Sequence, residues 1–178
     1  MRHGVTEWNQ QRRIQGRQDI PLSIAGRQQV EKCVQQMQKS GLHVDVIVSS
    51  PLLRAFSSAK VVADWYHVPL CLNPDFVERG FGEIEGLQKA EWMQITAGQS
   101  PEMVDGQHLG METFAELHER LALGVTRLRT RYPHEQVLIV THGSVIHYLG
   151  RWFDEPLGIV ENAKIIEFKG EKAHAYLY

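Results

Sequence analysis

Val137-Leu138-Ile139-Val140 is the stretch that constrains the fold most. Four consecutive apolar residues, mostly β-branched, read as a strand buried on both faces. Directly after it come Thr141-His142-Gly143 and the start of a helix. A buried strand running into a helix through a Gly belongs to a parallel sheet with helices on both faces. A second run, Val44-Asp45-Val46-Ile47-Val48, repeats the pattern, and Pro69-Leu70-Cys71-Leu72 reads as a third strand. The fold expected is α/β, a three-layer α/β/α sandwich on a mostly parallel sheet, with residues 1–178 forming a single domain.

Helices fill the intervals. Ser23 caps one whose inner face carries Val30, Cys33, Val34 and Met37, and Gly41 ends it. Pro51 is expected to start the next, which carries Leu53-Arg54-Ala55 and runs through Trp65. Helical pattern resumes over residues 88–96 and again from about Glu112 to Tyr132, with Phe114, Leu117, Leu121 and Val125 facing inward. Residues 4–22 read as a long loop, residues 98–111 as a loose segment, and Lys164–Phe168 with Ala173–Tyr178 as a terminal hairpin.

Composition sets the outer limits on function. A net charge of −2 provides no basic field for nucleic acid. No apolar run reaches membrane-spanning length, so no membrane partner is expected. Cys33 and Cys71 lack metal-ligand or CxxC spacing and suit a reducing compartment, so the expected location is cytoplasmic.

In open parallel sheets, ligands bind beyond the carboxyl ends of the strands. Residues 49–54 and 141–143 reach that rim, and Arg2-His3-Gly4 joins them if a strand precedes it. Arg2, His3, Arg54 and His142 gathered there would make an anion pocket. Two guanidiniums can hold the equatorial oxygens of a phosphoryl group as they shift during transfer. The helix starting after Gly143 adds N–H groups and its positive dipole end. Among cations, one imidazole can stay neutral and attack phosphorus, while the other donates a hydrogen bond. A carboxylic acid must then protonate the leaving oxygen and later activate water, and Glu78, in a Gly-flanked turn, is the candidate. Taken singly, the same residues have plainer readings: Arg54 as a solvated helix residue, His142 as a strand-end His bonded to backbone, Glu83 and Glu85 as surface carboxylates, and Trp8, Phe81 and Trp92 as packing residues.

Jointly the pieces resemble the histidine phosphatase superfamily, which includes the cofactor-dependent phosphoglycerate mutases. The matching residues are Arg2-His3-Gly4 with Thr6 and Trp8-Asn9, then Gln15-Gly16, Asp19, Pro21-Leu22-Ser23 and Gly26. Ser49-Ser50-Pro51-Leu52-Leu53-Arg54-Ala55 follows, with Glu78-Arg79-Gly80-Phe81-Gly82, Glu85-Gly86, and Val137–Val140 with Thr141-His142-Gly143. The resemblance implies His3 as the phosphorylated nucleophile, with Arg2, Arg54 and His142 forming the phosphate pocket. It also implies Glu78 as proton donor, Asn9 and Gln15 as secondary phosphate contacts, and backbone groups of Gly143 and Ser144 near the phosphate. It implies neither metal nor cofactor.

The resemblance also places the nucleophile strand between neighbours such as Val44–Val48 and Val137–Val140, whereas here only Met1 precedes Arg2. A short apolar strand upstream of Met1 is therefore expected. The leading function is a phosphomonoesterase for small phosphorylated metabolites. A phosphoglycerate mutase is the alternative, kept open by Gly86-Leu87-Gln88-Lys89-Ala90-Glu91, and an inactive phospholigand- or protein-binding relative is a second. The expected partner is a small phosphorylated metabolite, with a homodimer as the candidate assembly. Hydrolase is preferred because the segment able to cover the site, Leu87 to Met111, is short and holds one basic residue, Lys89.

Overall fold

The computed structural model describes residues 1–153, 155 and 157–168. Three parallel strands form its sheet: β1 (Val46–Ser49), β2 (Leu70–Leu72) and β3 (Val137–Val140), in the order β2-β1-β3. The register aligns Val46 with Val137 and Ser49 with Val140, so both inner strands end level at the same rim.

Side chains alternate across this sheet, which explains why both of its faces are covered. Ile47, Leu138 and Val140 pack on one side with Val30, Val34 and Met37 of α2 (Ile24–Lys39) and Ala55, Ala59 and Val62 of α3 (Leu53–Tyr66). Val48, Val137 and Ile139 pack on the other with Leu117 and Leu121 of α5 (Phe114–Arg131) and Val145 and Leu149 of α6 (Gly143–Trp152). The result is the three-layer α/β/α sandwich expected. No helix among the described residues is long and apolar enough to cross a membrane.

The segment Met1–His3 lies beyond β3, on the sheet's outer side. The Met1 amino group donates to the Ile139 carbonyl at 2.6 Å, Thr141 N–H to Met1 O at 2.9 Å, and His3 N–H to Thr141 O at 3.0 Å. Arg2 and Thr141 thereby form a parallel bridge. On its far side this segment pairs with the chain near its end, through Arg2 N–H to Lys164 O at 3.0 Å and Ala163 N–H to His3 O at 3.1 Å. This corrects the expected order: β1 and β3 pair directly, so no strand lies between them, and it is the outer edge of β3 that receives the Arg-His-Gly segment.

Local differences have local causes. The long first loop contains a helical turn, α1 (Glu7–Gln10), because Thr6 and Asn9 form a reciprocal capping box. Helix α3 begins at Leu53 rather than Pro51; its first free N–H, that of Leu53, is capped from a distance by Asp19 Oδ1 at 2.7 Å. The segment after residue 86 holds α4 (Lys89–Ile95) and two short 3₁₀ turns around residues 101–103 and 107–109. In the expected terminal hairpin, residues 164–168 have no strand assignment, and 173–178 lie outside the described residues.

Helix α2 approaches the first loop backbone to backbone. A Cβ on Gly26 would stand 2.1 Å from Val5 O, and one on Gly4 would stand 2.4 Å from Gly26 O. Only two facing glycines permit this contact, which sets the position of the residues just after His3.

Candidate active site

A cleft of about 720 Å³ opens at the rim where β1 and β3 end. It is lined by Arg2, His3, Asn9, Gln15, Arg54, Glu78, Gly143 and Ser144, so eight of the nine candidate residues meet there. The ninth, His142, lies against His3, with ring centroids 5.1 Å apart and planes inclined at 57°.

His3 is buried, and its Nδ1–H donates to the Gly4 carbonyl at 2.7 Å. A carbonyl can only accept, so the proton sits on Nδ1 and the lone pair of the neutral ring sits on Nε2. Burial, then the Arg54 and Arg2 guanidiniums, hold this imidazole well below its ordinary value of 6.5. It is therefore neutral near pH 7.

His142 is fully enclosed, and its Nε2 lies 2.8 Å from Ser50 Oγ. Ser50 Oγ accepts from Leu52 N–H at 3.3 Å and can give its own proton to His142 Nε2. In that tautomer His142 carries its hydrogen on Nδ1, which has no partner among the described residues. Burial, with Arg54, His3 and Arg2 adding to it, keeps this ring uncharged as well.

Arg54 is 1% exposed, not a solvated helix residue. Its two terminal nitrogens donate to Gly16 O and Gln18 O, each at 2.7 Å, while Nε is buried without a partner among the described residues. Arg2 donates to Val160 O at 2.5 Å, and its buried Nε likewise has no partner among them. Burial lowers both guanidiniums from their ordinary range, yet arginine remains a cation. Glu78 behaves oppositely: burial raises it above its ordinary 4.5, against the pull of the Arg79 N–H, Arg54, Arg2 and the Ser144 N–H. Those two N–H groups reach its carboxyl oxygens at 3.0 and 3.4 Å.

Four further residues organise this set: Thr6 and Glu85 stand in the matched motifs without an assigned role, and Ser58 and Asn162 stand in none. Thr6, fully buried, donates its hydroxyl proton to Gln15 Oε1 at 2.9 Å and its backbone N–H to Asn9 Oδ1 at 3.1 Å. It occupies both amide oxygens, leaving the amide N–H₂ groups for the cleft. Asn162 donates to His3 O at 3.0 Å and to Asn9 Oδ1 at 3.3 Å. Ser58 receives Gly4 N–H at 3.0 Å and donates to Arg54 O at 2.7 Å, joining the His3 and Arg54 segments. Glu85, expected as a surface carboxylate, instead receives Arg17 N–H, Phe81 N–H and the Gln18 amide at 2.9 to 3.1 Å. Its Oε1 would lie 1.9 Å from a Cβ at Gly16, whose φ is +52°, so only glycine fits there. The capping-box spacing of Thr6 and Asn9 marks a helix start but not this second use of the hydroxyl; Asn162 has no local signal at all.

Of the remaining candidates, Glu83 is exposed as expected, while Phe81 and Trp92 pack with Ile14, Ile84 and Met111 in a small cluster beside the cleft. Arg79, also buried, ties down residues 98–111 by donating to Glu112 O and Val104 O, each at 2.8 Å. No group of three or more His, Cys, Asp or Glu suited to a metal occurs among the described residues.

Comparison with known proteins gives a consistent result. The family model described as histidine phosphatase superfamily (branch 1) matches residues 1–170. The Bacillus subtilis protein named Uncharacterized phosphatase PhoE is 36% identical over 149 residues, covering 84% of this chain and 72% of its own. Phosphoglycerate mutase-like protein 4 of Arabidopsis thaliana is 30% identical, with 84% and 67% covered. The solved structure of a phosphoserine phosphatase variant from Entamoeba histolytica, in complex with phosphoserine, superposes with a TM-score of 0.67 at 27% identity, covering 87% of this chain and 78% of that one.

Proposed function

The chain belongs to the histidine phosphatase superfamily and is an enzyme of that kind, and on this premise we propose that it hydrolyses small phosphate monoesters through a phosphohistidine on His3. The observation that carries the reading is a set of buried donors with nothing among the described residues to accept from them. Arg2 Nε, Arg54 Nε and His142 Nδ1 all belong to the ring of residues around His3. Buried donors are normally paired; an anion beside His3 would pair these three together.

In the reaction, the Nε2 lone pair of His3 attacks phosphorus as the P–O bond to the alcohol breaks. The Glu78 carboxyl gives its proton to the departing oxygen. Arg2, Arg54, His142 Nδ1–H, the Asn9 and Gln15 amides and the Gly143 N–H hold the three remaining oxygens, while the Ser144 N–H stays with Glu78 at the edge of the group. Glu78, now a carboxylate, takes a proton from water as that water attacks the phosphohistidine. Inorganic phosphate leaves, His3 is again neutral, and Glu78 is again protonated. The charge a metal would provide comes from the two guanidiniums, so the reading assigns no metal. A reducing, cytoplasmic setting belongs to it, supported by the free thiols of Cys33 and Cys71.

The relative named for a mutase keeps phosphoryl return to a substrate in view. Water access to a cleft of about 720 Å³ favours hydrolysis. The test is to trap acid-labile phosphoryl-enzyme from labelled phenyl phosphate. It should form in the wild type, survive exhaustive chelation, and be absent from His3→Ala. Label that persists in His3→Ala, or that maps to His142, refutes the assignment.

A further inference from the structure

Glu78 stands in a stretch that makes no regular structure of its own. Residues 77–81 fall between two short 3₁₀ turns, Pro74–Phe76 and Gly82–Ile84, and belong to no helix or strand. Their backbone groups therefore need partners from elsewhere. One carboxylate and two guanidiniums supply them. Arg120 of α5 grips both oxygens of Glu112, Nε donating to Oε1 at 2.6 Å and a terminal nitrogen to Oε2 at 2.8 Å. Arg17, from the first loop, donates to Oε1 of the same carboxylate at 2.7 Å.

These three side chains meet the Glu78 backbone from both sides. Arg17 and Arg120 each donate to Glu78 O at 3.3 Å. Arg120 also donates to Asp75 O, three residues earlier, at 2.7 Å. Two residues later, Gly80 N–H donates to Glu112 Oε2 at 3.4 Å, and Gly80 O accepts from Glu112 N–H at 2.9 Å. The Glu78 carboxyl itself accepts only from the backbone N–H groups of Arg79 and Ser144 among the described residues, so its aim follows the backbone that carries it.

The Glu112 side chain is 8% exposed and that of Arg120 16%, so the pair is largely out of water. Such a pair is weak evidence for stability, because apolar side chains of similar volume often serve a fold as well or better. Directed hydrogen bonds to Asp75 O, Glu78 O and Gly80 N–H are what apolar side chains could not supply. None of the three charged residues lines the cleft. We infer that Glu112 and Arg120, with Arg17 as the third member, are positioning residues that aim the Glu78 carboxyl at the leaving oxygen through the backbone of the acid. The inference rests on the proposed phosphatase reading, in which that acid must stand within hydrogen-bond reach of the departing oxygen.

The test compares phenyl phosphate with 4-nitrophenyl phosphate, whose departing oxygen needs far less protonation. The quantity read is kcat/KM, which reports the first phosphoryl transfer and not the later attack of water. Arg120→Met keeps the length of the side chain and removes its directed donors. It should lower kcat/KM for the phenyl ester about tenfold more than for the nitrophenyl ester, a fraction of the roughly 10²–10⁴-fold that a general acid supplies. Arg120→Lys keeps the charge and one donor direction, and should recover part of that ratio. Binding of inorganic phosphate, read by calorimetry, should stay close to the wild-type value in both, because the phosphoryl cradle lies outside the triad. Glu112→Gln keeps its shape and should move the ester ratio in the same direction, which decides the matter if Arg120→Met does not fold. Equal losses on both esters, no loss on either, or a loss of phosphate binding that matches the loss of turnover would make the triad merely structural and overturn the inference. A wild type that turns over neither ester defeats the phosphatase reading itself, and the inference falls with it.

Discussion

His142→Gln should flatten part of the acid sensitivity of the fold. In the wild type His142 is 0% exposed, and burial with the neighbouring guanidiniums holds its imidazole well below 6.5. The unfolded chain takes up a proton near 6.5, while the folded chain does not. Acid therefore favours unfolding, and the His142 contribution is complete above 6.5 and lost as pH falls toward the folded value. A group that is neutral when folded loses about 1.4 kcal/mol between pH 7.5 and 5.5, from the linkage relation at an unfolded value of about 6.5. Gln cannot titrate, and its carboxamide oxygen can still accept from Ser50. Contributions from His3, Glu78 and the amino terminus are present in both proteins and largely cancel in the difference. Urea unfolding of both proteins at pH 7.5, 6.5 and 5.5 should therefore show the wild-type advantage shrinking by about 1.4 kcal/mol over that range. A difference that stays constant would mean that folded His142 accepts a proton normally, and the neutral-imidazole account of the site would fail.

Glu78→Gln should slow alkyl phosphates by roughly 10²–10⁴-fold while affecting nitrophenyl phosphate much less, since nitrophenolate leaves without a proton; equal losses in steady-state assays would make Glu78 structural. Thr6→Val keeps the shape of a fully buried side chain but leaves the Gln15 oxygen and the Asn9 N–H without its hydroxyl. It should cost about 1–3 kcal/mol in chemical denaturation and raise the inhibition constant for inorganic phosphate. Gly26→Ala introduces a Cβ 2.1 Å from Val5 O, and thermal melts should show a loss of roughly 1–3 kcal/mol, with kcat falling as the segment after His3 moves.

The parallel sheet and its rim were legible because the strands are short, apolar and β-branched and each runs into a helix. Val46–Ser49 and Val137–Val140 follow directly from that pattern. Strand order was not, since periodicity says which face a residue takes and not which strand lies beside it; β1 and β3 pair directly where an intervening strand was expected. The gathering of residues at the rim was legible because an Arg, a His and a Gly together have few plain uses once a second His-Gly ends a strand. Residues that orient others were hidden. Asn162 reaches His3 O across 159 positions of sequence, and Asp19 caps α3 across 34. Glu85 looked like a surface carboxylate because nothing nearby in sequence shows that Arg17 and Gln18 come to it. Such roles come from tertiary placement of polar groups, for which sequence carries no period.

The protonation states at the rim share one physical origin. Exclusion of water keeps His3 and His142 neutral and pushes Glu78 toward its protonated form, even though Arg2 and Arg54 draw it the other way. A nucleophilic imidazole and an acid holding its proton are the pair the proposed chemistry needs, and the acid above all depends on burial. Burying two guanidiniums costs free energy, which backbone carbonyls offset: Gly16 and Gln18 for Arg54, and Val160 for Arg2. The first two lie in the loop that also carries Asn9 and Gln15, and that loop is pinned by Glu85, by Asp19 at α3, and by the Gly4–Gly26 contact. Loosening any of these pins would admit water and ionise Glu78, whose raised value rests on burial, while the imidazoles beside two guanidiniums would stay neutral near pH 7. The acid would then be lost although the nucleophile remained, so the anchoring of residues 4–22 is a condition for the proposed catalysis as well as for stability.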